Sequence, residues 1–176
     1  MKKRYGFDLL RDQIIDYVDG ESSWMVEENR EHVESEIERL FLTALVLSTR
    51  FSFHEFTNVH VGSDYGNLKN CIPQHLKPTT LIVRPQVQLE GWRVDFIISA
   101  LDAKFWPGKE VWRELIVECD GHNFHERTKE QAARDRSRDR DVTLAGRELF
   151  RFTGSELWRN PLGCSTQIID WATKSW

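Results

Sequence analysis

The chain has 176 residues, of which 40% are hydrophobic and 30% are charged, and its formal net charge is −4. This composition is typical of a soluble, globular protein with a single core, and it excludes a disordered chain and a globally basic nucleic-acid binder. A contact with phosphates would therefore require a local basic patch, or metal ions that reverse the local charge.

The N-terminal residues and the cysteines predict a cytoplasmic protein that does not enter a membrane. Asp8, Arg11 and Asp12 interrupt any apolar core of a signal peptide, and no apolar run is long enough to span a bilayer. The three cysteines are far apart and form no CxxC pair, which argues against a disulfide framework and fits a reducing compartment.

Two helices are predicted in the first third of the chain. Apolar side chains at helical spacing predict one helix over residues 7–18 and a second from Ser35, as its N-cap, to about Thr49. Glu38 follows Ser35 by three residues, which is the spacing of a capping box. From the residues alone, a capping role for Glu38 is at least as well supported as a catalytic one.

The next part of the chain predicts a β-hairpin after a poorly patterned stretch. Residues 54–61 are interpreted as a strand, and residues 62–78, which contain glycines and prolines, as a loop. Alternating residues at 82–89 and 92–100 predict two strands that are joined by a tight turn.

The chain then predicts a strand–helix–strand unit. An apolar run at 115–117 reads as a buried strand, and a highly charged segment at 128–145 has helical character. Gly146 ends that helix as a C′ glycine, and residues 149–152 form the second strand. A connection of this length favours two parallel neighbouring strands. Two short helices close the chain, at 155–159 and 164–171.

Three carboxylates mark a candidate site. Asp95 interrupts an apolar strand and therefore faces either solvent or a cation, because a buried carboxylate is costly without one. Glu118 and Asp120 follow the apolar run at 115–117, and alternation places them on one face with Cys119 turned into the core. Hard oxygens of this kind, with the backbone carbonyl of Cys119, suit an open magnesium site that activates water.

The charged helix offers candidate phosphate contacts. Gln131, Arg134 or Asp135, and Arg138 recur along one helical face, and Arg138 is the best placed for a bidentate clamp. Alternatively, these charges form surface ion pairs that contribute little. His125, before the helix, is a candidate base or phosphate contact, and a solvated turn histidine explains it about equally well.

The order of these motifs resembles that of the PD-(D/E)XK nuclease superfamily. The resemblance rests on the helical Ser-x-x-Glu, a strand ending in RVDF, then IVECDG, QAARDRSRDR and LFRFTGSELWRNP. The resemblance extends over about residues 35–162. Within the superfamily, the pattern is similar to that of the Vsr-like branch, which includes the very-short-patch repair endonucleases. It implies an α/β fold with a restriction-endonuclease-like core, in which a mixed central β-sheet is flanked by α-helices.

The resemblance also implies roles for single residues. Asp95 and Glu118 match the metal-binding acids, and Glu38 matches the acidic residue of the first core helix. Asp120 could complete the metal site or orient the water as a general base. It stands where most members have the lysine of the motif, so the resemblance leaves the water-activating role open to Gln131, Arg138 or a second metal. The expected site residues are Glu38, Asp95, Glu118, Asp120 and Gln131 for catalysis, Asp95, Glu118, Asp120 and the Cys119 carbonyl for metal binding, and His125, Arg134, Arg138 and Arg151 for nucleic-acid binding.

These observations lead to one functional expectation and two alternatives. We expect a single domain, with a core at 35–162 and an N-terminal helical extension at 1–34. It would be an endonuclease that hydrolyses DNA with Mg²⁺, or with Mn²⁺ as a substitute, and that needs no small-molecule cofactor. Cutting both strands from one site per chain would favour a homodimer. The alternatives are an inactive nuclease-fold module that binds nucleic acid or a protein partner, and a purely structural domain. The zinc-binding residues of Vsr enzymes have no matching set, so mismatch repair is not inferred.

Overall fold

The computed structural model describes residues 20, 29–51, 58–89, 91–102, 104–121, 137, 140, 142, 144 and 146–174. The helices are α1 (Glu36–Phe51), α2 (Tyr65–Cys71), α3 (Gly154–Arg159) and α4 (Pro161–Thr173). The strands are β1 (Asn58–Val61), β2 (Thr80–Leu89), β3 (Trp92–Leu101), β4 (Trp112–Asp120) and β5 (Glu148–Thr153). Short 3-10 turns span Asn29–His32 and Gln74–Thr79. Among the helices of these ranges, none is long and apolar enough to cross a membrane.

The five strands form one mixed sheet in the order β1-β2-β3-β4-β5. The central strand β3 is antiparallel to both β2 and β4, whereas β1 pairs with β2, and β5 with β4, in parallel. The predicted hairpin is therefore confirmed, and Gly91 in its turn adopts a φ of 99°, which favours glycine. The predicted parallel pairing of the strands on either side of the charged helix is also confirmed. The chain has an α/β fold.

The main core lies between one face of the sheet and helices α1, α3 and α4. Phe41 of α1 is fully buried, and its ring centroid lies 5.3 Å from that of Phe96 in β3 and 5.8 Å from that of Phe152 in β5. Leu157 of α3 and Ile168 of α4 complete this layer. Each buried side chain of this size contributes about 1.5–3 kcal/mol through removal of apolar surface from water.

A second, smaller cluster lies on the other face of the sheet. Ile97 and Ile116 alternate with the residues of the main core along β3 and β4 and therefore point to the opposite side. Val142, from the segment between β4 and β5, packs against them and is 3% exposed. Strand β4 is thus apolar on both faces, which explains the uninterrupted apolar run before Glu118.

The end of the charged helix is confirmed, although most of that helix, predicted for residues 128–145, lies outside the described residues. Gly146 adopts a φ of 68°, and the N–H of Arg147 donates to the carbonyl of Val142 at 3.1 Å. This is the 6→1 bond of a Schellman motif with Gly146 at C′. The helix predicted for residues 7–18 also lies outside the described residues.

The loop predicted for residues 62–78 is wrong. This stretch contains α2 and a 3-10 turn, and α2 begins because the carboxylate of Asp64 accepts a hydrogen bond from the N–H of Asn67 at 3.1 Å. The helix has no buried residue, so it lacks the apolar stripe by which a sequence reveals a helix. Of the strand predicted for residues 54–61, the second half is confirmed as β1, and residues 54–57 lie outside the described residues.

Candidate metal-binding and catalytic site

The candidate site residues meet in one row across the sheet. Pro85 pairs with Phe96 and Val87 with Val94, so Gln86 of β2 lies opposite Asp95 of β3. The ladder between β3 and β4 ends at Phe96 and Val117, and the next position on each strand is Asp95 and Glu118. Glu118 in turn pairs directly with Arg151 of β5. The register therefore brings Gln86, Asp95, Glu118 and Arg151 to the same level of four adjacent strands.

Asp95 uses its carboxylate where backbone pairing stops. The backbone N–H of Cys119 donates to Oδ2 of Asp95 at 2.7 Å. Beyond the pair of Phe96 and Val117, the Cys119 N–H thus bonds to the side-chain oxygen of Asp95, where a regular ladder would offer a backbone carbonyl of β3. The prediction left Asp95 facing either solvent or a cation, and the structure places it against the end of β4, partly buried.

Glu118 and Asp120 share one arginine. The guanidinium of Arg151 donates from its terminal nitrogen to Oε2 of Glu118 at 3.0 Å, and its Nε lies 3.7 Å from Oδ2 of Asp120. The three side chains are 9%, 14% and 22% exposed for Glu118, Asp120 and Arg151. The expected common face of Glu118 and Asp120 is therefore confirmed, and Arg151 lies beside both carboxylates.

Glu38 is a buried acceptor of three hydrogen bonds. Its oxygens accept from the Ser35 hydroxyl at 2.7 Å and from the backbone N–H of Glu34 at 3.0 Å, while its own N–H donates to the Ser35 hydroxyl at 3.2 Å. The capping role is thus confirmed, with the Glu34 N–H in place of the Ser35 N–H. The third donor is Nε2 of Gln86, at 2.7 Å. Through Gln86, the start of α1 is joined to the row of site residues on the sheet.

Gln86 is the residue that sequence analysis missed. It adopts a φ of 53°, in the left-handed region, inside a strand where this conformation is unfavourable for a residue with a side chain. The irregular backbone directs its amide to Glu38. The only sequence signal is a polar residue directly after Pro85, in a strand that also contains Arg84 and Gln88, and this signal is too common to identify a site.

Cys119 confirms its predicted place in the core, since it is 8% exposed and belongs to the main apolar cluster. Burial raises the pKa of its thiol well above the usual value, and the negative charges of Asp95, Glu38 and Asp120 raise the pKa further. These carboxylates come from α1, β3 and β4, and all are close enough to disfavour a thiolate at Cys119. Three of the acids that the sequence singled out, Glu38, Asp95 and Asp120, therefore lie near one buried thiol.

The donor chemistry of this point fits Mg²⁺. Asp95, Glu118 and Asp120 offer hard carboxylate oxygens, and two of them already converge on one cation, Arg151. Within the ranges that the structure describes, no three His, Cys, Asp or Glu side chains form a ready-made metal cluster.

The remaining predicted contacts cannot be placed around this point. His125, Gln131, Arg134 and Arg138 lie outside the described residues. The candidate site consequently rests on Glu38, Gln86, Asp95, the Cys119 backbone, Glu118, Asp120 and Arg151. Comparison of the chain with protein-family models, with curated proteins and with solved structures found no match.

Proposed function

We propose that the protein is a metal-dependent endonuclease that hydrolyses DNA phosphodiester bonds on a restriction-endonuclease-like core. The observation that carries this proposal is that Glu118 and Asp120, at the end of β4, converge on Arg151, while Asp95 of the adjacent strand accepts the backbone N–H of Cys119 between them. Carboxylates at this position of a sheet are suited to metal-assisted phosphoryl chemistry. We further propose that the protein acts in the cytoplasm and as a homodimer on double-stranded DNA.

The chain's own residues have distinct tasks in this proposal. Asp95, Glu118 and Asp120, with the Cys119 carbonyl, would hold Mg²⁺ or Mn²⁺. The bound ion would lower the pKa of a water molecule and offset charge on the leaving oxygen. Asp120, the more exposed of the two acids on β4, would either complete this metal site or, in place of that role, accept the proton of the attacking water. Asp95 fixes the end of β4 through the Cys119 N–H, and Gln86 and Glu38 fix the start of α1 against the same row.

A second candidate function is favoured by the arginine. Arg151 offsets the charge of Glu118 and Asp120, and Asp95 and Glu38 accept hydrogen bonds from protein donors. These acids can therefore coexist in the fold with no metal, as an inactive nuclease-fold module that binds nucleic acid or a partner would require. We rank this module second because it assigns no role to the grouping of three acids, Asp95, Glu118 and Asp120, on two adjacent strands.

A cleavage assay separates the two functions. Supercoiled plasmid and single-stranded DNA are incubated with Mg²⁺ and with wild type, Glu118→Gln or Glu118→Ala. The glutamine variant is the sharper one, because its amide oxygen still accepts from Arg151 while the negative charge is lost. Glu114→Gln is the matched control, since Glu114 lies on the same strand four residues earlier, paired with Arg84.

If the protein is an endonuclease, wild type and Glu114→Gln should nick or degrade the DNA. The cleavage rate should fall at least about 100-fold in both Glu118 variants, because a ligand of the metal is removed. If wild type cuts neither substrate with Mg²⁺ or Mn²⁺, the endonuclease proposal is wrong and the binding module becomes the preferred function. Binding of the same DNAs to wild type, measured by fluorescence anisotropy, then tests the module.

A further inference from the structure

Arg151 occupies the place in the site where a metal ion would be expected. Its guanidinium lies 3.0 Å from Glu118 and 3.7 Å from Asp120, on the strand that pairs directly with β4. We propose that Arg151 is an internal counter-cation, which holds these two carboxylates together when no metal is bound and competes with a divalent cation for them. This proposal deepens the proposed function, because it concerns the same metal site.

The need for a cation follows from burial. Glu118 and Asp120 are two residues apart on one face of β4, and their side chains are 9% and 14% exposed. Two carboxylates so close to each other repel, and burial strengthens the repulsion because little water screens it. A single guanidinium beside both acids offsets this repulsion, through a hydrogen bond to Glu118 and an ion pair with Asp120.

Competition follows because the arginine and a metal would use the same oxygens. Oε2 of Glu118 and Oδ2 of Asp120 face Arg151. A divalent cation would need the lone pairs of the same two oxygens. A dication and a guanidinium repel each other at this distance. Metal binding therefore requires Arg151 to turn away from at least one carboxylate. The released guanidinium would then be available to a phosphate, which is the role that the resemblance implied for Arg151.

The test uses the full chain and measures metal binding apart from activity. Wild type, Arg151→Gln and Arg151→Lys are melted in EDTA and in 10 mM Mg²⁺, at about neutral pH, where the acids are ionised. Mn²⁺ affinity is measured separately by electron paramagnetic resonance of the free ion. Arg84→Gln is the matched control, because it also removes a half-buried arginine paired with a glutamate, Glu114, across the sheet.

We expect Arg151→Gln to melt about 5 °C below wild type in EDTA, because it leaves two acids without their shared cation. Mg²⁺ should restore most of that loss, while it shifts wild type and Arg84→Gln by no more than about 1–2 °C. The Mn²⁺ dissociation constant should fall about tenfold or more in Arg151→Gln, because the competitor is gone. The melting temperature and the Mn²⁺ dissociation constant of Arg151→Lys should lie between those of wild type and Arg151→Gln, since the lysine ammonium keeps the charge but lacks the planar guanidinium.

Two outcomes overturn the proposal. One is a Mn²⁺ affinity that is the same in wild type, Arg151→Lys and Arg151→Gln. The other is a melting temperature of Arg151→Gln that Mg²⁺ restores no better than that of Arg84→Gln. If Arg151→Gln does not fold in EDTA, Arg151→Lys decides by its Mn²⁺ affinity alone. Failure here is distinct from failure of the endonuclease, because wild type can cut DNA without this competition, and the competition can exist in a protein that does not cut.

Discussion

The carboxylate of Asp95 accepts the backbone N–H of Cys119 at 2.7 Å, directly beyond the last backbone pair that joins their strands. The same side chain thus has a structural task, which needs an acceptor oxygen, and a proposed metal-binding task, which needs a negative charge. The two tasks can be separated because asparagine retains the oxygen and loses the charge.

Asp95→Asn and Asp95→Ala are therefore expected to differ in stability and to agree in activity. The alanine variant leaves the Cys119 N–H without this acceptor and should lower the free energy of unfolding by about 1–3 kcal/mol, whereas asparagine should cost less than about 1 kcal/mol. Both should abolish Mg²⁺-dependent cleavage. Urea unfolding and plasmid cleavage measure the two effects. Cleavage by Asp95→Asn at the wild-type rate would show that the charge of Asp95 has no part in the reaction.

Glu38 should be more important for stability than its cap alone would require. It accepts from Ser35, Glu34 and Gln86, so Glu38→Ala removes the cap and the connection from α1 to the sheet together. We expect a loss of about 2–4 kcal/mol in the free energy of unfolding, compared with about 1 kcal/mol for Ser35→Ala, which affects the cap only. Urea denaturation of both variants gives the comparison. Equal losses would mean that the bond from Gln86 contributes nothing measurable.

Elements with a strong periodic pattern could be predicted from the sequence. The apolar run before Glu118 identified β4, and Gly146 marked the end of the charged helix, because few residues adopt the positive φ that this end requires. Helix α2 could not be predicted, because it buries no side chain and begins at a local hydrogen bond that the Asn67 N–H donates to Asp64.

Contacts between distant parts of the chain were harder to predict than the site residues themselves. Glu118, Asp120 and Asp95 could be selected because acids in apolar strands are costly. Which cation or donor each one meets depends on strand register, which places Arg151 opposite Glu118 and Gln86 opposite Asp95. No local pattern in the sequence specifies these two pairings, so Arg151 was assigned to phosphate and Gln86 was overlooked.

The three free cysteines should differ sharply in reactivity. Cys71 is exposed, whereas Cys119 and Cys164 are buried. Burial raises the pKa of the Cys119 and Cys164 thiols, and nearby carboxylates raise both further, so little thiolate forms at neutral pH. With Ellman's reagent at pH 8, we expect one fast-reacting thiol per native chain, and none in Cys71→Ser. Denaturant should expose the rest. Rapid labelling of Cys119 in the native protein, detected by mass spectrometry, would contradict the close packing around β4.

Acid should weaken the contact between Lys77, in the 3-10 turn before β2, and Glu110, in the segment between β3 and β4. The ammonium of Lys77 donates to Oε1 of Glu110 at 2.8 Å and lowers the pKa of that carboxyl from 4.5 to about 2, with a smaller contribution from Gln74. Because the pKa is lower in the folded state, this contact stabilises the protein fully above pH 4.5, and the stabilisation is lost as the pH falls toward 2.

Lys77→Met should therefore reduce stability at pH 7 and flatten its dependence on pH between about 4.5 and 2, because Glu110 then has nearly the same pKa folded and unfolded. Lys69→Met is the control, since Lys69 lies 3.7 Å from the same carboxylate, is more exposed than Lys77 and should change the slope less. The measurement is urea unfolding at several pH values across this range. Parallel curves for wild type and Lys77→Met would show that Glu110 does not depend on Lys77 for its ionisation.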